Sequence, residues 1–213
     1  MMHIKEFHFN FIQVNTFVLY DETGEAVIVD PGMDGPDEYP VLDDFIKDNN
    51  LKIKYIISTH PHIDHVLGNG YCVKKYGAPL LMHEAGMKIY DNAVAYGVAF
   101  NMQCEKSDFP QPDRFVNEGD VIEFGKQKLE VLYTPGHADG SISLYNREES
   151  AVFVGDLIFQ GSVGRSDLPT GNGQILQKSI RTKIIQMPDH TTIYPGHGPV
   201  TSIGMERISN PFI

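Results

Sequence analysis

Cysteine, long apolar runs and clusters of basic residues are all scarce in this sequence. The two cysteines, Cys72 and Cys104, lack CxxC spacing, so no disulfide framework is expected and a reducing compartment fits. No apolar run reaches the roughly 18 residues of a transmembrane helix, and the mixed N-terminal residues 1–7 do not read as a signal peptide. With a net charge of −11 and no basic run, no nucleic-acid or membrane partner is expected. These absences favour a cytoplasmic protein.

The 213 residues are enough for one sizeable domain or two small ones. Each half of the chain begins with segments typical of strands, continues to a strand that ends in a polar loop, and then takes helical spacing, as in residues 37–49 and 173–187. Such an order predicts two sheets packed face to face with helices outside. We therefore predict a single α+β domain over residues 1–213. Residues 84–100 predict one or two helices, and 101–113 either a loop over a site or a connector.

Three histidines and one aspartate fall within six residues, where a predicted strand gives way to a helix. The segment Thr59–His65 reads THPHIDH and follows the apolar, β-branched run Tyr55–Ser58. Pro61 disfavours helical backbone at the residue before it, which suits a loop entered directly from a strand. Imidazoles and carboxylates are ligands for zinc or a similar first-row ion. Buried together without a metal, they would lose hydration and gain few partners. This segment therefore predicts a metal site.

Three later strand ends carry further candidate ligands. His137 stands in Pro-Gly-His, Asp156 in Gly-Asp, and His197 in Pro-Gly-His-Gly. One zinc ion needs three protein ligands and an open position, so seven candidates favour two ions. Asp30, at the end of an early strand, is either a group that supports a ligand or a turn former. The remaining histidines are interpreted as structural: His3, His8, His83 and His190.

The order and spacing of these residues resemble the metallo-β-lactamase superfamily over nearly the whole chain. The resemblance implies an αββα sandwich of two face-packed mixed β-sheets with helices outside. The string Gly-Arg-Ser-Asp at residues 164–167 is similar to one in glyoxalase II-like hydrolases. Only 16 residues follow His197, so the chain resembles the short members (hydroxyacylglutathione hydrolase-like) that lack a C-terminal helical domain. That departure leaves the thiol carrier open, glutathione or another.

The resemblance also implies which residues hold the ions. The first ion would be held by His60, His62 and His137. The second would be held by Asp64, His65 and His197. Asp156 would bridge both, and Asp64 and Asp156 are the candidate catalytic carboxylates. Zinc is expected, with iron and manganese as alternatives, because nitrogen-oxygen sites accept all three.

Two such ions, about 3.5–4 Å apart, can share a hydroxide that would attack a carbonyl carbon, while one metal stabilises the oxyanion. A thiolate, with a pKa of about 8.5, leaves with little help. No obvious general acid accompanies the ligands, since the nearby tyrosines are interpreted as strand-packing residues: Tyr133, Tyr145 and Tyr194. The sequence therefore predicts hydrolysis of a small thioester.

Candidate substrate contacts are Arg165, Asn172 and Lys178, with Arg181 as a further cation on the same helix. A solvated helix face explains the charges of Lys178 and Arg181 equally well. Arg165 either pairs with Asp167 and braces the Asp156 loop, which we favour, or binds a substrate carboxylate.

Three alternatives stay open. A persulfide dioxygenase would use a single iron on His60, His137 and Asp156. A lactonase or another ester hydrolase would use the same fold. A metal-binding module without catalysis is the third. The sequence specifies neither the oligomeric state nor the acyl group.

Overall fold

Two six-stranded mixed sheets form the centre of the protein in a computed structural model that describes residues 1–213. The first sheet contains β1 (His3–Phe9), β2 (Val14–Tyr20), β3 (Glu25–Val29), β4 (Lys52–Ile57), β5 (Leu80–Met82) and β6 (Arg114–Phe115). These strands lie in sequence order: the first three pair antiparallel, and β3 to β6 pair parallel. Because β3 and β4 are parallel, their C-terminal ends lie at the same end of the sheet.

The second sheet has the order β14-β13-β10-β9-β8-β7. Its strands are β7 (Val121–Phe124), β8 (Gln127–Tyr133), β9 (Ile142–Asn146), β10 (Ala151–Gly155), β13 (Thr192–Pro195) and β14 (Thr201–Ser202). Strands β10 and β13 pair parallel, and the other neighbours pair antiparallel. A separate ribbon consists of β11 (Ile158–Phe159) and β12 (Ser162–Val163).

The helices are short. They are α1 (Tyr39–Asp48), α2 (Ile63–Val66), α3 (Asn69–Tyr76), α4 (Met87–Tyr90), α5 (Ala93–Ala99), α6 (Gly173–Ser179) and α7 (Ile203–Ser209). Two 3₁₀ turns lie at Glu84–Gly86 and Lys106–Asp108, and a π-helical turn at Ile180–Ile184 continues α6. None of these helices is long and apolar enough to cross a bilayer.

Alternating side chains divide the core into three apolar layers. One face of β2 to β5 and the inner faces of β7 to β10 meet in a central cluster that includes Phe17, Leu81 and Phe153. The opposite face of the first sheet packs against α1, α2 and α3, and the outer face of the second packs against α6, its π turn and α7. Because strands buried on both faces need cover on both sides, the result is helix, sheet, sheet, helix. The predicted αββα sandwich is confirmed.

The helices differ from the sequence prediction in detail. The segment 84–100 is a 3₁₀ turn and two short helices, separated at Asn92. Asn92 bonds through its side-chain amide to the Lys88 carbonyl at 2.8 Å, a competition with backbone bonding that makes asparagine a poor helix former. The predicted helix over 173–187 widens into the π turn after Ser179. Helix α7 was not predicted, although Ser202 caps it by accepting from Met205 N–H.

Phe153 tests the central layer. Its ring packs against Phe17 and Tyr194, with centroids 5.2 and 4.8 Å away, and the residue is 1% exposed. Phe153→Ala should lower the free energy of unfolding by about 3–5 kcal/mol, because it leaves a cavity between the sheets. Denaturant unfolding measures the change. In the control Phe212→Ala, which alters a half-exposed ring, the change should stay within about 0.5 kcal/mol. Equal effects in both variants would contradict this description of the core.

Candidate metal centre

The strand ends of both sheets meet at one edge of the sandwich. The loop Thr59–His65 follows β4, His137 follows β8, Asp156 follows β10, and His197 follows β13. Backbone hydrogen bonds tie the two sheets together there. Asn15 N–H donates to Gly196 O at 2.7 Å, and Ile142 N–H donates to Thr59 O at 2.8 Å. The fold thus brings together all seven residues that the sequence singled out as candidate ligands.

Three imidazoles form the first donor group. The ring nitrogens of His60, His62 and His137 lie within 4.8 Å of one another. His62 Nδ1 is 2.7 Å from His137 Nε2. His137 Nδ1 faces the Arg165 carbonyl oxygen at 2.8 Å, so a proton on Nδ1 leaves Nε2 with a lone pair directed into the group. Two ring nitrogens this close require a shared proton or a cation between them.

The second donor group consists of Asp64, His65 and His197, again with ligand atoms within 4.8 Å of one another. His197 Nε2 lies 3.0 Å from Asp64 Oδ2 and 3.2 Å from His65 Nε2. Asp64 and His65 belong to α2, whose four residues are all buried. This short helix directs both side chains to the same point.

Asp156 lies between the two donor groups. Its Oδ1 is 3.3 Å from His65 Nε2, in the second group, and its Oδ2 is 3.6 Å from His137 Nε2, in the first. The backbone around it has no spare room, since a Cβ on Gly196 would come within 2.3 Å of Asp156 Oδ1 and 2.6 Å of His65 Cε1. Its carboxylate can therefore touch ligands of both groups at once.

Two buried atoms among the candidate metal ligands have no hydrogen-bond partner. They are His60 Nε2 and Asp156 Oδ1. An unsatisfied buried polar atom costs about 1–3 kcal/mol, and native structures retain few of them. Both atoms point among nitrogen and carboxylate donors that first-row metals prefer. The residues present therefore fit metal ions, and their division into two groups joined by one carboxylate fits two of them.

Burial and neighbouring charges shift the pKa values of the clustered residues in different directions. Burial, together with the neighbouring histidines, holds the pKa of His60 well below its usual value and lowers that of His62 to about 4. Burial opposes ionisation of Asp156, but His65 and other histidines hold the pKa of this carboxyl below its usual range. Burial also opposes protonation of His65, yet the surrounding carboxylates raise its pKa. Neutral imidazoles and ionised carboxylates are the forms that bind metal, and at His65 a metal would compete with a proton.

Asp30 supports the cluster from behind. Its carboxylate accepts from Thr59 N–H and Thr59 Oγ1, each at 2.6 Å, and from His65 Nδ1 at 2.9 Å. The residue is 2% exposed and has a φ of 51°, a left-handed conformation uncommon outside glycine. Fixing the proton on His65 Nδ1 turns the Nε2 lone pair towards the donor group. Of the two readings left open by the sequence, this geometry matches the supporting group.

A cavity of about 380 Å³ opens beside the cluster. Arg165 lines it and forms a bidentate pair with Asp167, at 2.8 and 2.7 Å. Asn172 does not line it; its side chain caps α6 by accepting from two backbone N–H groups. Lys178 is exposed on α6, away from the cavity lining. Whether these three residues contact substrate stays a prediction.

The segment that the sequence could not assign has a clear relation to the cavity. Ile89, Tyr96 and Phe100, from α4 and the region of α5, form part of its wall, whereas residues 101–113 contribute nothing to the lining. Phe109 instead packs into the core beneath the first sheet. Only the spacing of apolar residues in 84–100 hinted at this wall. The four histidines interpreted as structural lie outside both donor groups.

An αββα sandwich with two adjacent His/Asp donor groups at one edge defines a class of dinuclear metalloproteins. The chain belongs to the metallo-beta-lactamase superfamily, whose family model matches residues 9–197. The resemblance carried by the sequence motifs is thus confirmed, and membership supports a metal-dependent hydrolase with a dinuclear centre.

Several relatives share this architecture. The chain is 33% identical to a protein of Haemophilus influenzae named hydroxyacylglutathione hydrolase GloC, over 94% of this chain and 93% of that protein. The structure of BLEG-1 B3 metallo-beta-lactamase matches with a TM-score of 0.86 and 32% identity, covering 100% and 99% of the two chains. TTHA1623 in a di-iron-bound form gives 0.87 and 32%, covering 98% and 100%. ETHE1 from Myxococcus xanthus gives 0.80 and 27%, covering 98% and 83%.

The role of Asp30 can be tested without touching a ligand. Asp30→Asn keeps the side-chain shape but replaces one acceptor oxygen with an N–H donor that faces other donors. Metal affinity should fall by about 10–100-fold, the usual effect of losing a partner that orients a ligating histidine. Titration against a competing chelator measures it. Asp37→Asn, at an exposed position of the same segment, should leave the affinity unchanged. Wild-type affinity in Asp30→Asn would contradict the supporting role.

Proposed function

We propose that the protein hydrolyses small thioesters with two divalent metal ions, zinc before iron or manganese. The observation that carries the proposal is the convergence of seven side chains into two donor groups that Asp156 links, with His60 Nε2 and Asp156 Oδ1 buried and without a hydrogen-bond partner. The two free cysteines, Cys72 and Cys104, are in keeping with a cytoplasmic setting. The name of the Haemophilus influenzae relative supports a glyoxalase II-like substrate.

The chain's own residues position and orient rather than transfer protons. His60, His62 and His137 would hold one ion, and the group around Asp64 the other. When bound, such a pair supplies a hydroxide nucleophile at neutral pH and polarises the carbonyl oxygen of the substrate. The Arg165 carbonyl keeps His137 in the tautomer that presents Nε2. With substrate bound, the apolar side chains of the cavity wall would exclude water, which strengthens the electrostatic interactions within the cavity.

The leaving group favours a thioester over an ester or amide. Among the side chains that line the cavity, Tyr96 carries the one hydroxyl. This hydroxyl makes no hydrogen bond to the candidate metal ligands. Tyr133, Tyr145 and Tyr194 do not line the cavity; Tyr133 stacks on His83 and Tyr194 on Phe153. A thiolate, with a pKa of about 8.5, leaves without a general acid, whereas an alkoxide or amine does not leave so readily.

Oxidation of a persulfide at a single iron is the second candidate. The similarity to the ETHE1 structure favours it, and the residues used would be His60, His137 and Asp156. Metal analysis and a substrate panel on one preparation distinguish the candidates. Two equivalents of metal with thioester turnover support the proposal, and one equivalent of iron with oxygen uptake on glutathione persulfide supports the alternative. The panel should include a lactone and, because of BLEG-1, a β-lactam.

His62→Ala provides the sharpest mutational test. His62 lines the cavity and is only partly buried, so its removal should leave the fold intact. Thioester kcat/KM should fall by about a hundredfold or more, since the metal's contribution amounts to several kcal/mol. Steady-state kinetics and thermal unfolding measure the two effects. The exposed His190, changed to alanine, should keep full activity, and near-wild-type turnover in His62→Ala would remove this residue from the mechanism.

A further inference from the structure

The cavity beside the metal centre is walled mainly by apolar side chains. Its floor holds candidate ligands, among them His62 and Asp156, and its walls come from distant parts of the chain. The apolar wall residues used here are Ile12, Ile89, Tyr96, Phe100, Phe159 and Leu168. A substrate whose carbonyl reaches the metal centre must therefore place its neighbouring atoms against hydrocarbon.

Some of these wall residues are exposed to water at the cavity mouth. Phe100 is 43% exposed and Ile12 is 36% exposed, whereas Ile89, deeper in the wall, is 3% exposed. Phe159 lies beside the candidate metal ligands, and the centroid of its ring is 6.4 Å from that of the His197 ring. Contiguous apolar surface facing water is a common sign of a ligand site. A bound apolar group would cover these side chains.

Charge in the cavity does not favour an anionic group. Arg165 is the single lysine or arginine among the lining residues, and its guanidinium is held by both oxygens of Asp167. Near the metal centre, the carboxylates of Asp64 and Asp156 would offset part of the charge of the two bound ions, and the scissile carbonyl would occupy the space beside them. A carboxylate or phosphate placed against the wall would lose hydration without gaining a free cationic partner.

We propose that this cavity binds an uncharged apolar chain attached next to the scissile carbonyl. The inference rests on the proposed thioester hydrolysis and narrows its substrate class. The chain belongs either to the acyl group or to the thiol, because both flank the same carbonyl carbon. In either case the hydrocarbon contacts the wall around Phe100 and Tyr96, and recognition needs no charged group on the substrate.

Two series of thioesters test the inference on the metal-loaded enzyme. In the first, the thiol is always N-acetylcysteamine and the acyl group is acetyl, butanoyl or hexanoyl. In the second, the acyl group is always acetyl and the thiol is ethanethiol, butanethiol or hexanethiol. In one series kcat/KM should rise about fourfold with each methylene until the cavity is filled, as expected for burial of a methylene group. The series that rises identifies the side of the carbonyl that binds.

A matched pair isolates charge from length. The adipoyl thioester has the same six-carbon chain as the hexanoyl thioester but ends in a carboxylate. In the series in which kcat/KM rises, a compound whose chain ends in a carboxylate is compared with the uncharged compound of the same length. The charged compound should react at least tenfold more slowly, because its carboxylate would be buried without a cation. Preference for the charged compound would overturn the inference and support the substrate-carboxylate role of Arg165.

Two neighbouring substitutions complete the design. Phe100→Ser removes a wall side chain and should reduce the ratio of kcat/KM for the hexyl compound to kcat/KM for the two-carbon compound. Val98→Ser alters a side chain that is 72% exposed and does not line the cavity, so it should behave like wild type. Equal rates along both series, or equal losses in both variants, would overturn the inference while leaving thioester hydrolysis in place.

A binding experiment decides the matter even if no thioester is hydrolysed. Calorimetry with 1-octanol on the metal-loaded protein should give binding with a negative heat-capacity change, the mark of apolar burial. The affinity should fall in Phe100→Ser and not in Val98→Ser. Absence of octanol binding would overturn the apolar site, whereas octanol binding without any thioester turnover would leave the apolar site and reject the proposed function.

Discussion

Burial of ionisable ligand atoms is the constraint on which this structure depends. His60, His65 and His137 are at most 2% exposed, so their ring nitrogens must find partners within the protein or on a cation. The two sheets meet this requirement because the C-terminal ends of β4, β8, β10 and β13 lie together at one end of the sandwich. Asp30 and the Arg165 carbonyl occupy the outward nitrogens of His65 and His137. What remains is a set of lone pairs directed to two points.

Much of this arrangement could be predicted from the sequence, because the information is local. The string from His60 to His65 sits between a β-branched strand and a helix start, and the later Pro-Gly-His and Gly-Asp strings also follow strands. The repeated order of strands, polar loop and helix in the two halves predicted the two-sheet arrangement, because each sheet needs cover on both faces. The link from Asp156 to both donor groups was implied by family resemblance alone, and the distances to His65 and His137 give it a geometric basis.

The cavity wall could not be predicted in the same way. Ile12 comes from the turn after β1, Phe100 from the end of α5, and Phe159 from a two-residue strand. Nothing in their local sequence distinguishes them from ordinary core residues, since the cavity exists only once both sheets and α5 are packed. Two helix details have a local cause instead. The side chain of Asn172 caps α6, and at Asn92 a side-chain hydrogen bond competes with a helical one.

The division of the donor groups between the sheets has a mechanical consequence. His60 and His62 extend from the first sheet and His137 from the second; Asp64 and His65 extend from the first and His197 from the second. A metal ion bound at either group would therefore connect the two sheets. Ligands that bind only the folded state add to its stability in proportion to the logarithm of their concentration. Resistance of this protein to heat and proteolysis would then follow the cell's supply of metal.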